Sequence, residues 1–83
     1  MTYRLLVDVE VIEVLDALSK KSRTRLLDQF RKIRSSPDDF SDYHERDGGG
    51  RRVEISVFAG HAIHYWTDHA DQHIKIPAFK PAD

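Results

Sequence analysis

Two antiparallel strands and the turn between them are predicted for residues 51–66, which read RRVEISVFAGHAIHYW. Apolar side chains stand at every second position on both sides of a glycine: Val53, Ile55 and Val57 before it, Ile63 and Tyr65 after it. Such alternation is typical of strands that bury one face. A three-residue turn at 59–61 would place Val57 opposite Ile63 and keep both apolar sets on one side. The stretch therefore predicts a β-hairpin with one face toward the core.

A third strand is predicted where the alternation returns at Ile74 and Ile76. A two-residue turn at His69-Ala70 would place Tyr65 opposite Ile74, so that the three strands form an antiparallel meander. A slip of one residue would move a whole strand to the other face, so the register also determines which polar side chains lie together.

The segments before the hairpin predict one strand and two helices. Residues 3–9 alternate as a strand, and Asp8 can cap the helix that follows. Helical spacing of apolar residues then appears twice: Val11, Ile12, Leu15 and Leu18, and later Leu26, Leu27, Phe30 and Ile33. Residues 37–50 begin with Pro37 and end in three glycines, which predicts a loop. We therefore expect an α+β fold: a strand, two helices, then a three-stranded antiparallel meander, with all strands in one sheet.

The size and the amino-acid usage restrict the class of protein further. With 83 residues the chain has room for one core, so residues 1–83 are expected to form a single domain. Because it has no cysteine, disulfides and a thiolate zinc site are excluded and a reducing compartment is favoured. The first apolar run is interrupted at Asp8, which is typical of neither a signal peptide nor a membrane-spanning helix. We expect a cytoplasmic protein that does not enter a membrane.

The net charge of −1 conceals an uneven distribution of charge. Seven of the thirteen basic residues lie in residues 20–34, where Asp28 is the one acid, and an acidic stretch follows over residues 38–47. The basic stretch predicts either a cationic face for phosphate or an acidic partner, or else an ordinary solvated helix surface.

The predicted register gathers polar side chains on the face of the meander that turns away from the core. One row holds Glu54, Trp66 and His73; the next holds Ser56, His64 and Lys75, with Arg52 and Asp68 beside them. Imidazole or carboxylate groups can remove and return the protons of RNA cleavage, cations offset phosphoryl charge, and an indole stacks a base. The alternative is that Glu, His and Lys simply pair across a solvated sheet face.

Five histidines also raise the question of a metal site. His61 and His64, three positions apart in a strand, would point to opposite faces, and no cysteine assists them. We expect neither a metal nor another cofactor.

Four stretches resemble the RelE/ParE superfamily of toxins from type II toxin–antitoxin modules. They are YRLLVD at residues 3–8, LLDQFRKIRSSP at 26–37, RRVEI at 51–55 and GHAIHY at 60–65. The last is similar to the Gly-Tyr-Arg-Ile-x-Tyr hairpin of that superfamily. The resemblance covers nearly the whole chain and implies the same order of strand, two helices and meander.

The resemblance implies a toxin that an antitoxin neutralises, most directly an endoribonuclease that cuts messenger RNA on the ribosome. A ParE-like gyrase inhibitor and a catalytically silent module that binds an antitoxin or another protein are the alternatives. Whichever of these applies, the chain could also form a homo-oligomer. The site residues expected for RNA cleavage are His64, His73 and Glu54 for proton transfer, and Arg52, Lys75, Lys80 and Trp66 for RNA and phosphate. Arg52 and Lys80 match basic positions of the superfamily, whereas Ala62 replaces its hairpin arginine and Glu54 stands where a basic residue is common.

Overall fold

The structure, a computed structural model, describes residues 3–82. Its elements are β1 (Arg4–Val7), α1 (Val9–Asp16), α2 (Lys20–Ser35), a 3-10 turn (Pro37–Asp39), β2 (Tyr43–Arg46), β3 (Arg52–Phe58), β4 (His61–Asp68) and β5 (His73–Pro81). The strands form one five-stranded sheet in the order β1-β5-β4-β3-β2, with β1 parallel to β5 and the other pairs antiparallel. The predicted α+β fold with a single sheet is confirmed, with one strand more than expected.

Both helices pack on one face of the sheet, hereafter the helix side. Their buried residues Val11, Leu15, Leu26, Phe30 and Ile33 meet Ile63, Tyr65, Ile74, Ile76 and Phe79 from the sheet. Asp8 occupies the N-cap position of α1, although its side chain makes no capping hydrogen bond, while the Ser19 hydroxyl accepts the Ser22 N–H at the start of α2. Each helix is short, so burial of its apolar stripe against the sheet is what makes it stable.

Strand β2 lies inside the stretch for which the sequence predicts a loop, and that prediction is wrong for residues 43–46. β2 pairs with β3 at the edge of the sheet, and its four residues are all exposed. Since neither of its faces is buried, the sequence Tyr-His-Glu-Arg carries no apolar alternation. The Asp42 side chain begins the strand by accepting the Val57 N–H at 2.7 Å.

The turn between β3 and β4 is one residue shorter than predicted, and the predicted register is therefore wrong. It consists of Ala59 and Gly60, with φ angles of 52° and 79°. Two-residue turns with positive φ at both positions match the twist of the flanking strands. Val57 consequently pairs with Ala62 rather than with Ile63.

This one-residue shift exchanges the two faces of β3. Val53 and Ile55 join Ala62 in a small second cluster on the face away from the helices, which we call the open face. Ser56 moves to the helix side, where it is buried and its hydroxyl accepts a hydrogen bond from Gln29 Nε2 at 3.3 Å. The predicted rows of polar residues do not form.

The loop between β4 and β5 spans residues 69–72 instead of two residues, so Tyr65 is not opposite Ile74 as predicted. Ile74 pairs with Thr67, and Lys75 pairs with Trp66. The ladder then shifts, because β5 has two residues where β4 has one, and Pro77 lies in this bulge. A proline cannot donate to the ladder, so a bulge is a position where a strand tolerates it.

Within residues 3–82, no helix is long and apolar enough to span a membrane.

Candidate functional site

The open face carries the polar side chains from which a site can be built. Strand alternation places His64 and Trp66 of β4 on this face, together with His73, Lys75 and Lys80 of β5. Four of the predicted site residues lie between the β3–β4 turn and the middle of β4 and β5, namely His64, Trp66, Lys75 and Lys80. Glu45 and Arg51, which were not predicted as site residues, complete the group from β2 and from the turn that follows it.

His64 is the titratable group best placed for proton transfer. Its side chain is 16% exposed, and its Nδ1 lies 3.8 Å from Oε1 of Glu45 on the neighbouring edge strand. Burial lowers the pKa of His64, the charge of Glu45 raises it, and the charge of Lys80 lowers it, with a net decrease. The imidazole is therefore neutral at pH 7 and able to accept a proton.

We predict that His64 titrates with a midpoint below its ordinary value of 6.5. Glu45→Gln should lower this midpoint further, because the carboxylate that favours the imidazolium is gone, and Lys80→Met should raise it. NMR detection of the imidazole Cε1 proton across a pH series measures all three proteins. A midpoint at or above 6.5 in the unmodified chain would contradict the placement of His64 in a desolvated site.

The lowered pKa of His64 also determines the direction in which pH changes the stability of the fold. Because folding lowers the pKa of His64, the unfolded chain binds more protons between the two pKa values. The contribution of His64 to stability is therefore complete above about pH 6.5 and is lost as the pH falls through the folded-state pKa.

Trp66 lies under two cations. The Arg51 guanidinium carbon is 3.9 Å from the ring centroid, and the Lys75 Nζ is 4.8 Å from it. Lys75 is in turn held by Asp68, whose Oδ2 is 3.1 Å from Nζ. Hydrogen bonds from the Asp71 backbone and from Lys75 lower the pKa of Asp68.

A cleft of about 260 Å³ opens between these groups, and we call it the His64 cleft. Its lining comprises Glu45, Asp47, Arg51, Val53, His64, Trp66, Pro77 and Ala78. The imidazole of His64, the guanidinium of Arg51, the ring of Trp66 and the two carboxylates Glu45 and Asp47 thus line one open space.

Glu54 and Arg52, predicted to share a face with the histidines, lie on the helix side instead. Glu54 pairs with the buried Tyr65, and its carboxylate accepts hydrogen bonds from Arg52 Nε at 2.7 Å and Ser41 Oγ at 2.8 Å. Burial raises the pKa of Glu54, but these hydrogen bonds and the charge of Arg52 outweigh it, so the pKa is lowered. Glu54 is an ionised carboxylate that is already paired, on the wrong side of the sheet to assist His64.

The helix side has a cavity of its own, about 350 Å³ in volume, beside Glu54. It is lined by Asp38, Arg52, Glu54, Trp66, Thr67 and His69. The sheet separates the side chains of Arg52 and Glu54 in this cavity from the imidazole of His64.

His73 lies on the open face but at the far end of the strands. It pairs with Asp68, four residues along β4 from His64, which corresponds to about 13 Å. Its Nδ1 is buried and has no hydrogen-bond partner within residues 3–82. The structure therefore does not bring the two predicted histidines together.

Glu45 and Arg51 were missed for the same reason that β2 was missed. The sequence Asp-Gly-Gly-Gly at 47–50 is a turn signal between two short strands, and reading it as a hairpin would have placed both residues beside β3.

For metal binding, no cluster of three or more His, Asp or Glu side chains of suitable geometry occurs in the described part of the chain.

Comparison with known proteins gives structural matches alone: no protein-family model and no curated protein matches this sequence. The archaeal RelE–RelB complex from Pyrococcus horikoshii OT3 is matched at a TM-score of 0.80 with 24% identity, over 98% of this chain and 96% of that one. The toxin–antitoxin complex RelBE2 from Mycobacterium tuberculosis is matched at 0.82 with 11% identity, over 99% and 100%. A mutant of E. coli toxin RelE in the free state is matched at 0.75 with 15% identity, over 100% and 86%. This chain therefore has the fold of the RelE toxins.

Proposed function

We propose that this chain is the toxin of a toxin–antitoxin module and that it cuts messenger RNA on the ribosome. The observation that carries the proposal is His64, an imidazole that is neutral at pH 7 and lies in an open cleft with Trp66 and Arg51, close enough to Lys80 for its charge to lower the pKa of His64. The RelE-like fold supports the toxin assignment, since the three structural matches described above are RelE toxins or their complexes.

The proposed reaction transfers a phosphoryl group of the RNA from the 5′-oxygen of one nucleotide to the 2′-oxygen of the nucleotide before it. His64 accepts the proton of a 2′-hydroxyl, the 2′-oxygen attacks the adjacent phosphorus, and the bond from phosphorus to the 5′-oxygen breaks. A 2′,3′-cyclic phosphate forms, the leaving 5′-oxygen takes a proton from water, and the resulting hydroxide takes the proton from His64, which returns the imidazole to its neutral form. Lys80 offsets the negative charge that develops on the phosphoryl oxygens.

An antitoxin is the partner that this proposal requires. Two of the structural matches are solved as complexes of RelE with RelB or as a toxin–antitoxin pair. This chain exposes apolar side chains on β1 and α1 that an extended partner would cover: Leu6, Val9, Ile12 and Val14, with exposed fractions of 40–65%. Exposed apolar side chains are common at protein interfaces.

A module that binds an antitoxin without catalysis is the second candidate. It is favoured by the acidic side chains Glu45 and Asp47 in the lining of the His64 cleft, since they oppose the approach of RNA. The net charge of −1 acts in the same direction.

Inducible expression in a bacterial host tests the proposal directly. We expect growth arrest within one or two generations, with messenger RNA cut inside coding sequences, and relief when the neighbouring small reading frame is expressed together with the chain. The variant His64→Ala, expressed at the same level, is the matched control and should not arrest growth.

The other outcomes distinguish the alternatives. Growth arrest with intact transcripts and inhibited DNA supercoiling would replace the proposal by gyrase inhibition. Absence of arrest, together with a stable complex with the neighbouring gene product, would replace it by the binding module.

A further inference from the structure

The ring of Trp66 is covered by the side chain of Arg51, which is held there only weakly. Arg51 belongs to the turn between β2 and β3, and its guanidinium carbon lies 3.9 Å from the ring centroid. That side chain is 53% exposed, and its ion pair with Asp47 is 3.8 Å long. Contacts of this length at such exposure hold a side chain weakly.

The backbone of Arg51, in contrast, is held firmly. Oδ1 of Asp47 accepts the N–H groups of both Gly49 and Arg51 at 2.9 Å, and the Asp47 N–H donates to the Arg51 carbonyl at 2.9 Å. The Arg51 side chain can therefore rotate away from Trp66 while the turn keeps its shape.

The turn also leaves open space next to this pair. Gly50 has a φ of +82°, which favours glycine, but a Cβ at Gly48 would meet nothing within 4 Å, and one at Gly49 would meet only an Asp47 carboxylate oxygen at 3.5 Å. The local fold has room for side chains at both positions.

We propose that Trp66 is a stacking subsite for one base of single-stranded RNA, and that Arg51 occupies this subsite until a base displaces it. A base covers an indole more completely than an exposed guanidinium and stacks on it more strongly. The released guanidinium then pairs with the phosphate next to the stacked base, for which its fork of N–H donors is suited. Lys75, 4.8 Å from the same ring, adds charge of the sign that the RNA backbone requires.

The inference rests on the proposed function for the class of its ligand, single-stranded RNA. It adds a base-stacking subsite at Trp66 and the residue that covers this subsite in the free protein, Arg51. It places the stacked base within the His64 cleft, since Arg51, Trp66 and His64 all line that cleft.

Trp66 is the one tryptophan of the chain, so its fluorescence reports on this subsite alone. In the free protein, Arg51→Ala should increase the quenching of Trp66 by acrylamide roughly twofold, because the guanidinium no longer covers the ring. A short single-stranded RNA oligomer should quench Trp66 in parallel with its binding, followed by the anisotropy of a label on the oligomer. An abasic oligomer with the same number of phosphates should bind without quenching.

The phosphate contact has its own readout. In Arg51→Ala, the slope of the logarithm of affinity against the logarithm of salt concentration should fall by roughly one. Lys21→Ala, which removes the same charge from the exposed side of α2, is the matched control for the free protein and should leave the acrylamide quenching of Trp66 unchanged.

Three results would overturn the inference: equal acrylamide quenching with and without Arg51, an oligomer that binds without changing Trp66 emission, or an oligomer that does not bind. The proposed function has a separate test in growth arrest and transcript cleavage. Quenching of Trp66 by RNA without growth arrest would leave the subsite standing and reject the toxin. Growth arrest with cut transcripts but unchanged Trp66 emission would leave the toxin function standing and reject the subsite.

Discussion

Replacement of His64 by alanine is expected to slow RNA cleavage by about a hundredfold or more, the usual contribution of a positioned acid or base. Its imidazole is neutral at pH 7 and shares the cleft with Arg51, a cation able to hold phosphate. The side chain is largely covered yet lies on the open face, away from the main core, so its loss should leave the fold intact.

The measurement is the cleavage rate of messenger RNA on purified ribosomes, with circular dichroism melting as the check on folding. The unmodified protein should show a rate that rises with pH through a midpoint below 6.5, because the neutral imidazole is the active form and its pKa is lowered. His73→Ala should have a clearly smaller effect, since His73 lies about 13 Å along the strands. Full activity in His64→Ala would reject His64 as the base.

Ser56→Lys is expected to destabilise the chain by about 3–5 kcal/mol, the cost of leaving an uncompensated charge buried. Ser56 is 1% exposed, and its hydroxyl accepts a hydrogen bond from Gln29 on α2. A lysine side chain at this position would also be too long for the space between the sheet and the helix. Domains of this size have about 5–10 kcal/mol of stability in total, so much of the population should unfold at moderate temperature.

Val57→Lys is the matched control, because it introduces the same charge one residue further along β3. Val57 is 46% exposed on the open face, so this variant should lose no more than about 1 kcal/mol. Urea unfolding of both variants measures the difference. The register predicted from sequence demands the opposite ranking, with Ser56 exposed and Val57 in the core. A more stable Ser56→Lys would therefore contradict the two-residue turn at Ala59-Gly60.

Much of the fold could be predicted from the sequence because most elements bury one face. The two helices and the strands β1, β4 and β5 carry apolar residues at periods that burial imposes. β2 carries no such signal, since all four of its residues are exposed at an edge. The RelE-like motifs implied the same architecture, and the structural matches confirm it.

The candidate site could be predicted only in part: the face was predicted correctly for residues of β4 and β5 and wrongly for residues of β3. His64, Trp66, His73 and Lys75 were expected on the face away from the helices and lie there, because their neighbours Ile63, Tyr65, Ile74 and Ile76 fill the core. Glu54 was assigned to the same face because Val53 and Ile55 alternate with it as core residues would. Those two residues are buried in a second cluster on the open face, which alternation alone cannot distinguish from the main core.

The sequence by itself determined the α+β class, the order of β1, the two helices and β3 to β5, and the apolar face of each helix, since these depend on local periodicity. The tertiary structure decided the pairing of β3 with β4 and the position of β2 at the edge. A one-residue difference in a turn costs little locally, yet it reverses which side chains of a strand face the helices. For that reason His64 has Glu45 and Lys80 as its charged neighbours rather than Glu54 and His73, and only the assembled sheet could show it.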